Sequence, residues 1–171
     1  MKRFWIINLV LFQVCWFCAA FLTQHAAPLM FTLMAIHFYL SPTRKEDAYL
    51  LLLVPIGFAA DKLQLELGVF SVGSGFFPFW LLMMWSMFLI SLNHSLSWLN
   101  NRSVITLMVI GAIGGTSSYW GGVKAGVIEP LLATEYVTLS LMTVWAIILP
   151  IFVCLKKQLE LYQSKYEVTH V

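Results

Sequence analysis

The residue types with the most chemical potential lie in Gly57-Phe58-Ala59-Ala60-Asp61-Lys62-Leu63-Gln64-Leu65-Glu66-Leu67-Gly68, where Asp61, Lys62 and Glu66 interrupt an otherwise apolar stretch. An ionisable side chain at membrane depth costs at least about 2.5–3.5 kcal/mol on insertion scales, so it faces protein or a water-filled cavity and marks a functional site. At about 100° per residue, Val54, Gly57, Asp61, Gln64, Leu65 and Gly68 share one helix face, on which the glycines allow close approach around an acid and an amide. Asp61 on that face can carry a proton, act as general acid or base, or bind a cation. Lys62 and Glu66 form an i,i+4 pair on a neighbouring face, and Lys62 can snorkel toward the outer interface. Asp61, Gln64, Glu66 and Lys62 are therefore the expected catalytic set. The competing structural reading has Asp61 and Lys62 satisfied by neighbouring helices.

Other helices bring polar groups to the same depth. Gln24 and His25 precede the second apolar segment, Ser118, Tyr119 and Trp120 end the fifth, and Glu135 begins the sixth. With Trp80 among the aromatics of an apolar cavity, His25, Ser118, Tyr119, Trp120 and Glu135 are the expected substrate-binding residues. A second set, Asn8, His37, Asn93 and His94, falls on the opposite side of the core, where histidine and tryptophan anchor helices at the interface. An anchoring role is expected for it. No cofactor or metal is expected. The four histidines form no H-x-x-x-H or H-E-x-x-H pattern, and Gly115-Thr116-Ser117-Ser118-Tyr119 lacks the final glycine of a serine nucleophile elbow. Cys15 and Cys18 match C-x-x-C but sit in an apolar helix, where free cysteine packs as a small hydrophobe.

The elements that must position these residues are membrane-spanning. The chain of 171 residues is 60% hydrophobic and 11% charged, and its mean hydropathy is +0.84, far from the roughly 25% charged content of soluble domains. A net charge of +2 without a basic run excludes a nucleic-acid surface. The expected fold is an all-α bundle of six transmembrane helices in one integral-membrane domain over 1–171. The helices are placed at about 4–22, 24–40, 48–70, 76–98, 103–120 and 131–155, with a polar tail over 156–171. Met1-Lys2-Arg3 and the following apolar run resemble a signal peptide, but the run exceeds the usual length of roughly 7–15 residues and is read as a retained helix. With the N-terminus inside, Lys2, Arg3, Arg44, Lys45, Arg102, Lys156, Lys157 and Lys165 are cytoplasmic and Lys124 lies outside, which places both termini in the cytoplasm. Pro28, Pro78 and Pro130 open the three helices that enter from outside, a pattern that fits three repeated helical hairpins or convergent helix starts. Gly111-x-x-x-Gly115 in the fifth helix favours close helix packing, with an unwound glycine-rich end at Gly121-Gly122 as the sharper alternative.

Gly57…Asp61…Leu65…Gly68, Pro78-Phe79-Trp80…Trp85, Ser95-Leu96-Ser97-Trp98-Leu99 and Gly111…Gly114…Ser118-Tyr119-Trp120-Gly121 resemble a family of small proteobacterial inner-membrane proteins catalogued as a domain of unknown function. The resemblance covers nearly the whole chain and implies a bacterial cytoplasmic-membrane location. It also implies a neighbourhood of lipid-modifying and oxidative-stress functions. Three readings stay open. One is a membrane-embedded enzyme or accessory factor for a lipid or isoprenoid-like substrate at an outer-leaflet cavity around Asp61. The second is a small transporter or channel in which Asp61 titrates or binds a cation, and the third is an assembly subunit of a membrane complex. The expected partners are the lipid bilayer and an apolar small molecule or lipid, with no nucleic acid. A closed apolar pocket beside Asp61 favours the first reading, and a polar path from Asp61 to His94 favours the second.

Overall fold

The computed structural model describes residues 4–73 and 78–168, and for residues 23, 24 and 164–168 the backbone alone. Lys2, Arg3, His170 and the expected helix start at Phe76 lie outside the described residues, as do the side chains of Gln24 and Lys165. The chain is mostly helical. The helices are α1 (Phe4–Phe21), α2 (Thr23–Leu40), α3 (Arg44–Leu50), α4 (Val54–Glu66), α5 (Phe79–Ser91), α6 (Val104–Lys124) and α7 (Thr134–Val168). A 3-10 turn over Leu51–Leu53 joins α3 to α4, and together they form one rod over Arg44–Glu66. This rod and the segments Phe4–Phe21, Val104–Lys124 and Thr134–Gln163 are long and apolar enough to cross a membrane, while His25–Leu40 and Phe79–Ser91 are shorter apolar helices. Large apolar side chains such as Ile105, Ile113, Leu139 and Ile147 are exposed on the outer surface, as expected of helices solvated by lipid.

Several boundaries differ from the sequence expectation for local physical reasons. The third helix begins at Arg44 rather than 48, because Glu46 and Asp47 occupy its first turn, where the helix N-terminus favours carboxylates. It stops at Glu66 rather than 70. Gly68 there takes a left-handed φ of 66°, and the Val69 amide donates to the Gln64 carbonyl at 3.0 Å, closing the end. The fourth helix ends at Ser91 instead of 98, with turns and a 3-10 segment (Ser97–Asn101) following. The fifth continues as helix through Gly121 and Gly122 to Lys124, so its glycine-rich end is not unwound. The last starts at Thr134 and absorbs the expected polar tail as far as Val168. Lys156 is buried there and pairs with Glu160 one turn on. The three prolines do not share a structural position: Pro28 lies inside α2, Pro78 caps α5, and Pro130 belongs to a strand.

Two cores hold the bundle. One, between α1, α2 and α5, contains Cys15, Met30, Leu81, Met87 and Ile90. The other is aromatic. Trp85 of α5 stacks on Trp145 of α7, ring centroids 5.1 Å apart and planes 15° from parallel, and Phe152 and Tyr119 pack alongside. The pairing of α6 with α7 follows from Gly111 and Gly115. A Cβ at either position would overlap the backbone or ring of Trp145, so these glycines admit the indole against the α6 backbone, as their spacing predicts. Beyond the far ends of α4 and α6, β1 (Phe70–Ser71) pairs antiparallel with β2 (Glu129–Pro130), tying two connections together.

Candidate functional site

Asp61 is 3% exposed and lies on the buried face of α4 with Val54, Gly57 and Gln64, the face read from the sequence. Its carboxylate is held from two other helices. The Trp85 indole N–H of α5 donates to Oδ2 at 2.6 Å, and the Tyr119 hydroxyl of α6 donates to Oδ1. Gly57 makes the first bond feasible, since a Cβ there would overlap the Trp85 ring. One turn along α4, Gln64 Oε1 accepts from Ser140 Oγ of α7 at 2.7 Å. Gln64 Nε2 is buried and has no partner among the described residues.

On the other side of Trp85 and Tyr119 lies a cavity of about 520 Å³, within the range of about 300–1,000 Å³ typical of small-molecule sites. Its walls come from α1, α5, α6 and α7, with Phe12, Trp16, Trp80, Trp85, Tyr119 and Trp145 among the lining residues. Along α6 the lining runs from Ile110 to Gly122, about 18 Å at 1.5 Å per residue, close to one leaflet of a hydrocarbon core about 30 Å thick. Gly114 and Ser117 line it and are also exposed at the helix surface, so the wall has an exposed edge on α6. Trp16 bridges from α1, its indole N–H donating to Ser118 Oγ at 3.0 Å.

The sequence-expected residues are distributed unevenly about this cavity. Ser118, Tyr119 and Trp80 form part of its wall. Asp61 stands one layer back, reaching it through Tyr119 and Trp85. Trp120 turns toward α7 and donates to Thr138 Oγ1 at 3.1 Å. Lys62 and Glu66 pair with each other at 3.2 Å with side chains 51% and 63% exposed. His25 and Glu135 are exposed at the starts of α2 and α7.

A second cluster centres on an acid outside the residues expected to carry chemistry. Asp47 in the first turn of α3 is completely buried. It meets His37 Nε2 at 3.0 Å from Oδ2 and His94 Nε2 at 2.9 Å from Oδ1. Ser41 Oγ donates to Oδ2 at 2.5 Å, Asn93 Nδ2 to Oδ1 at 2.9 Å and Thr43 Oγ1 to Oδ1 at 3.3 Å. The His37 and His94 nitrogens and an Asp47 oxygen lie within 4.8 Å of one another, near enough to share a metal ion. His37 Nδ1 is buried without a partner among the described residues. The Phe4 ring packs on both imidazoles, with centroids 4.8 Å from His94 and 5.4 Å from His37. Asn8 accepts from the Ser95 amide and hydroxyl at 3.1 and 2.5 Å, fixing α1 beside the turn that carries His94. Of the grouped residues Asn8, His37, Asn93 and His94, the last three converge on Asp47 and Asn8 lies beside them through Ser95; the acid at their centre was missed. The available signal was the pairing of Ser41-Pro42-Thr43, a turn with two hydroxyls, with an acid just inside the following helix.

Fourteen residues of the α3–α4 rod separate Asp47 from Asp61, about 21 Å at helical rise. The rod residues buried between them are Leu50, Leu53, Val54 and Gly57, all apolar. Searches of curated proteins and of solved structures gave no match to the chain. A family model described as "Protein of unknown function (DUF2878)" matches residues 5–151, which span both carboxylate clusters and the cavity, and the chain belongs to that family.

Proposed function

We propose that the chain is a multi-pass protein of the bacterial cytoplasmic membrane that takes the acyl or isoprenoid-like chain of a lipid into the cavity beside Tyr119, serving as an enzyme or accessory factor for that lipid. The observation that carries this reading is the cavity itself. It is walled by aromatics and glycines, runs about 18 Å along α6, and has an edge at Gly114 and Ser117 exposed at the helix surface. Sites for apolar ligands combine such walls with a few fixed polar groups. Ser118 and Tyr119 are those groups here. Tyr119 would touch the ligand, and Asp61, with both oxygens engaged by protein donors, would position that hydroxyl from behind. The apolar stretch of rod between Asp61 and Asp47 supports this reading over ion transport, which needs polar groups along a path.

The proposed arrangement has six crossings, with both termini in the cytoplasm. It is supported by the contact of Asn8 near the start of α1 with Ser95 after α5, which sets the start of α1 at the end of the bundle that carries the α5–α6 connection with Arg102. Reporter fusions should read outside at Gly73 and Lys124 and inside at Arg44, Arg102 and Lys165. A cytoplasmic signal at Gly73 contradicts the arrangement.

The cavity is tested by filling it. A Cβ at Gly114 meets nothing within 4 Å, so Gly114→Leu adds bulk at the exposed edge of the cavity wall without a clash at its first side-chain atom. Mass spectrometry of lipids extracted from purified protein should find one lipid class enriched over the surrounding membrane in the wild type and depleted severalfold in Gly114→Leu. Identical lipid profiles in the two proteins, both folded, would refute the binding role.

A further inference from the structure

We propose that His37, Asp47 and His94 bind a divalent transition-metal ion at the end of the bundle where α2 meets α3 and α5 leads toward α6. Three separate stretches of chain deliver the ligand atoms. His37 comes from the last turn of α2, Asp47 from the first turn of α3, and His94 from the turns that follow α5. The His37 Nε2–Asp47 Oδ2 and His94 Nε2–Asp47 Oδ1 separations are 3.0 and 2.9 Å. An ion bound at about 2.1 Å by nitrogen and carboxylate oxygen holds neighbouring ligand atoms about 3 Å apart when its bond angles are near 90°. With all three ligand atoms within 4.8 Å of one another, side-chain movement alone can close them on one ion.

Charge points the same way. Buried charges are generally paired or coordinate a metal, and among the described residues the ion-pair partners of Asp47 are two imidazoles, charged only when protonated, with no lysine or arginine. Arg44, three residues away, donates instead to the Tyr39 and Ser41 carbonyls at 2.5 and 3.3 Å. A divalent ion would supply the missing positive charge. The carboxylate has the support of a metal ligand, being itself hydrogen-bonded within an apolar shell that limits water, whereas His37 Nδ1 has no partner among the described residues. Ser41, Thr43 and Asn93 fix the Asp47 carboxylate, and Phe4 covers both imidazoles. His94 at 8% exposure is the ligand nearest the surface, whereas His37 and Asp47 are at 0%, so entry would be past His94.

The donor set selects the ion class. Two imidazoles and one carboxylate suit zinc, iron(II) or cobalt(II). Calcium and magnesium prefer oxygen donors and copper(I) prefers sulfur. The cysteines are not part of the site: Cys15 and Cys18 pack in the α1–α2–α5 core, and Cys154 is exposed on α7.

The test uses the whole chain purified in nanodiscs, stripped with a chelator, loaded with Zn²⁺ or Co²⁺ and dialysed. Plasma mass spectrometry should find one ion per chain, and the Co²⁺ form should show ligand-field absorption. His37→Gln and His94→Gln should each weaken binding at least about tenfold. His94→Cys retains a donor and should add a thiolate-to-Co²⁺ charge-transfer band, locating the ion even if the glutamine variants fail to fold. Folded wild-type protein that takes up no stoichiometric ion overturns the proposal and leaves a purely hydrogen-bonded cluster. So does a metal-loaded His94→Cys protein without the new band, or a folded double glutamine variant that keeps its metal.

Discussion

The two buried aspartates of the α3–α4 rod make opposite use of similar burial. Asp61 is met by two neutral donors, an indole and a phenol, each belonging to an aromatic side chain that also walls the cavity. Asp47 is met by two imidazoles, two hydroxyls and an amide, none of them among the cavity-lining residues. Asp61 orients the aromatic wall of an apolar space, whereas Asp47 gathers polar groups into a compact knot that fastens α2, α3 and the turn after α5. A carboxylate in a membrane protein thus takes its meaning from what its partners touch next, and depth alone does not supply it.

Substitutions sharpen this contrast in a definite order. Asp47→Ala leaves two histidines and three smaller polar groups facing one another without their acceptor. It should cost the most, about 3–5 kcal/mol as for breaking a buried pair, read as thermal unfolding in detergent. Asp61→Ala removes two intramembrane hydrogen bonds, from Trp85 and Tyr119, and should cost less, about 1–3 kcal/mol for the two together. The reverse order would break the comparison. Gly57→Ala should then lose about 1–3 kcal/mol by overpacking, because the added methyl drives Trp85 off Asp61. It should also distort the cavity wall, measured as weaker lipid retention. Tyr119→Phe removes one intramembrane hydrogen bond, about 0.6 kcal/mol and at most about 1.7, yet should reduce lipid retention more than its small stability change suggests. Smallest of all, Lys62→Ala or Glu66→Ala breaks only an exposed i,i+4 pair and should shift stability by about 0.5 kcal/mol or less. A larger shift there would mean that the pair supports Asp61 after all.

Much of the Asp61 region was legible because a single helix face determines it. The spacing of Gly57, Asp61 and Gln64 put them together, and the glycine pattern of α6 anticipated its packing on α7. The partners of Asp61 were less visible: Trp85 lies 24 residues away and Tyr119 58, and only the lateral placement of α5 and α6 brings them together. Tyr119 was expected as a ligand contact, without its bond to Asp61. Asp47 was hidden for a different reason. Arg44-Lys45-Glu46-Asp47 after Pro42 has the composition of a solvated turn, and Arg44, Lys45 and Glu46 are indeed exposed. Only the fourth residue of that run turns inward, and its burial depends on His94 arriving from 47 residues downstream.

Photo-crosslinking tests the central claim most directly. A lipid with a diazirine near the middle of its acyl chain is incorporated into nanodiscs with the protein, irradiated, and the adducts are mapped by peptide mass spectrometry. The cavity account predicts adducts on inward wall residues such as Trp85 and Tyr119, which are 4% and 7% exposed, and their loss in Gly114→Leu. Adducts confined to outward-facing residues such as Ile105, Ile113 and Leu139, unchanged by that substitution, would contradict it.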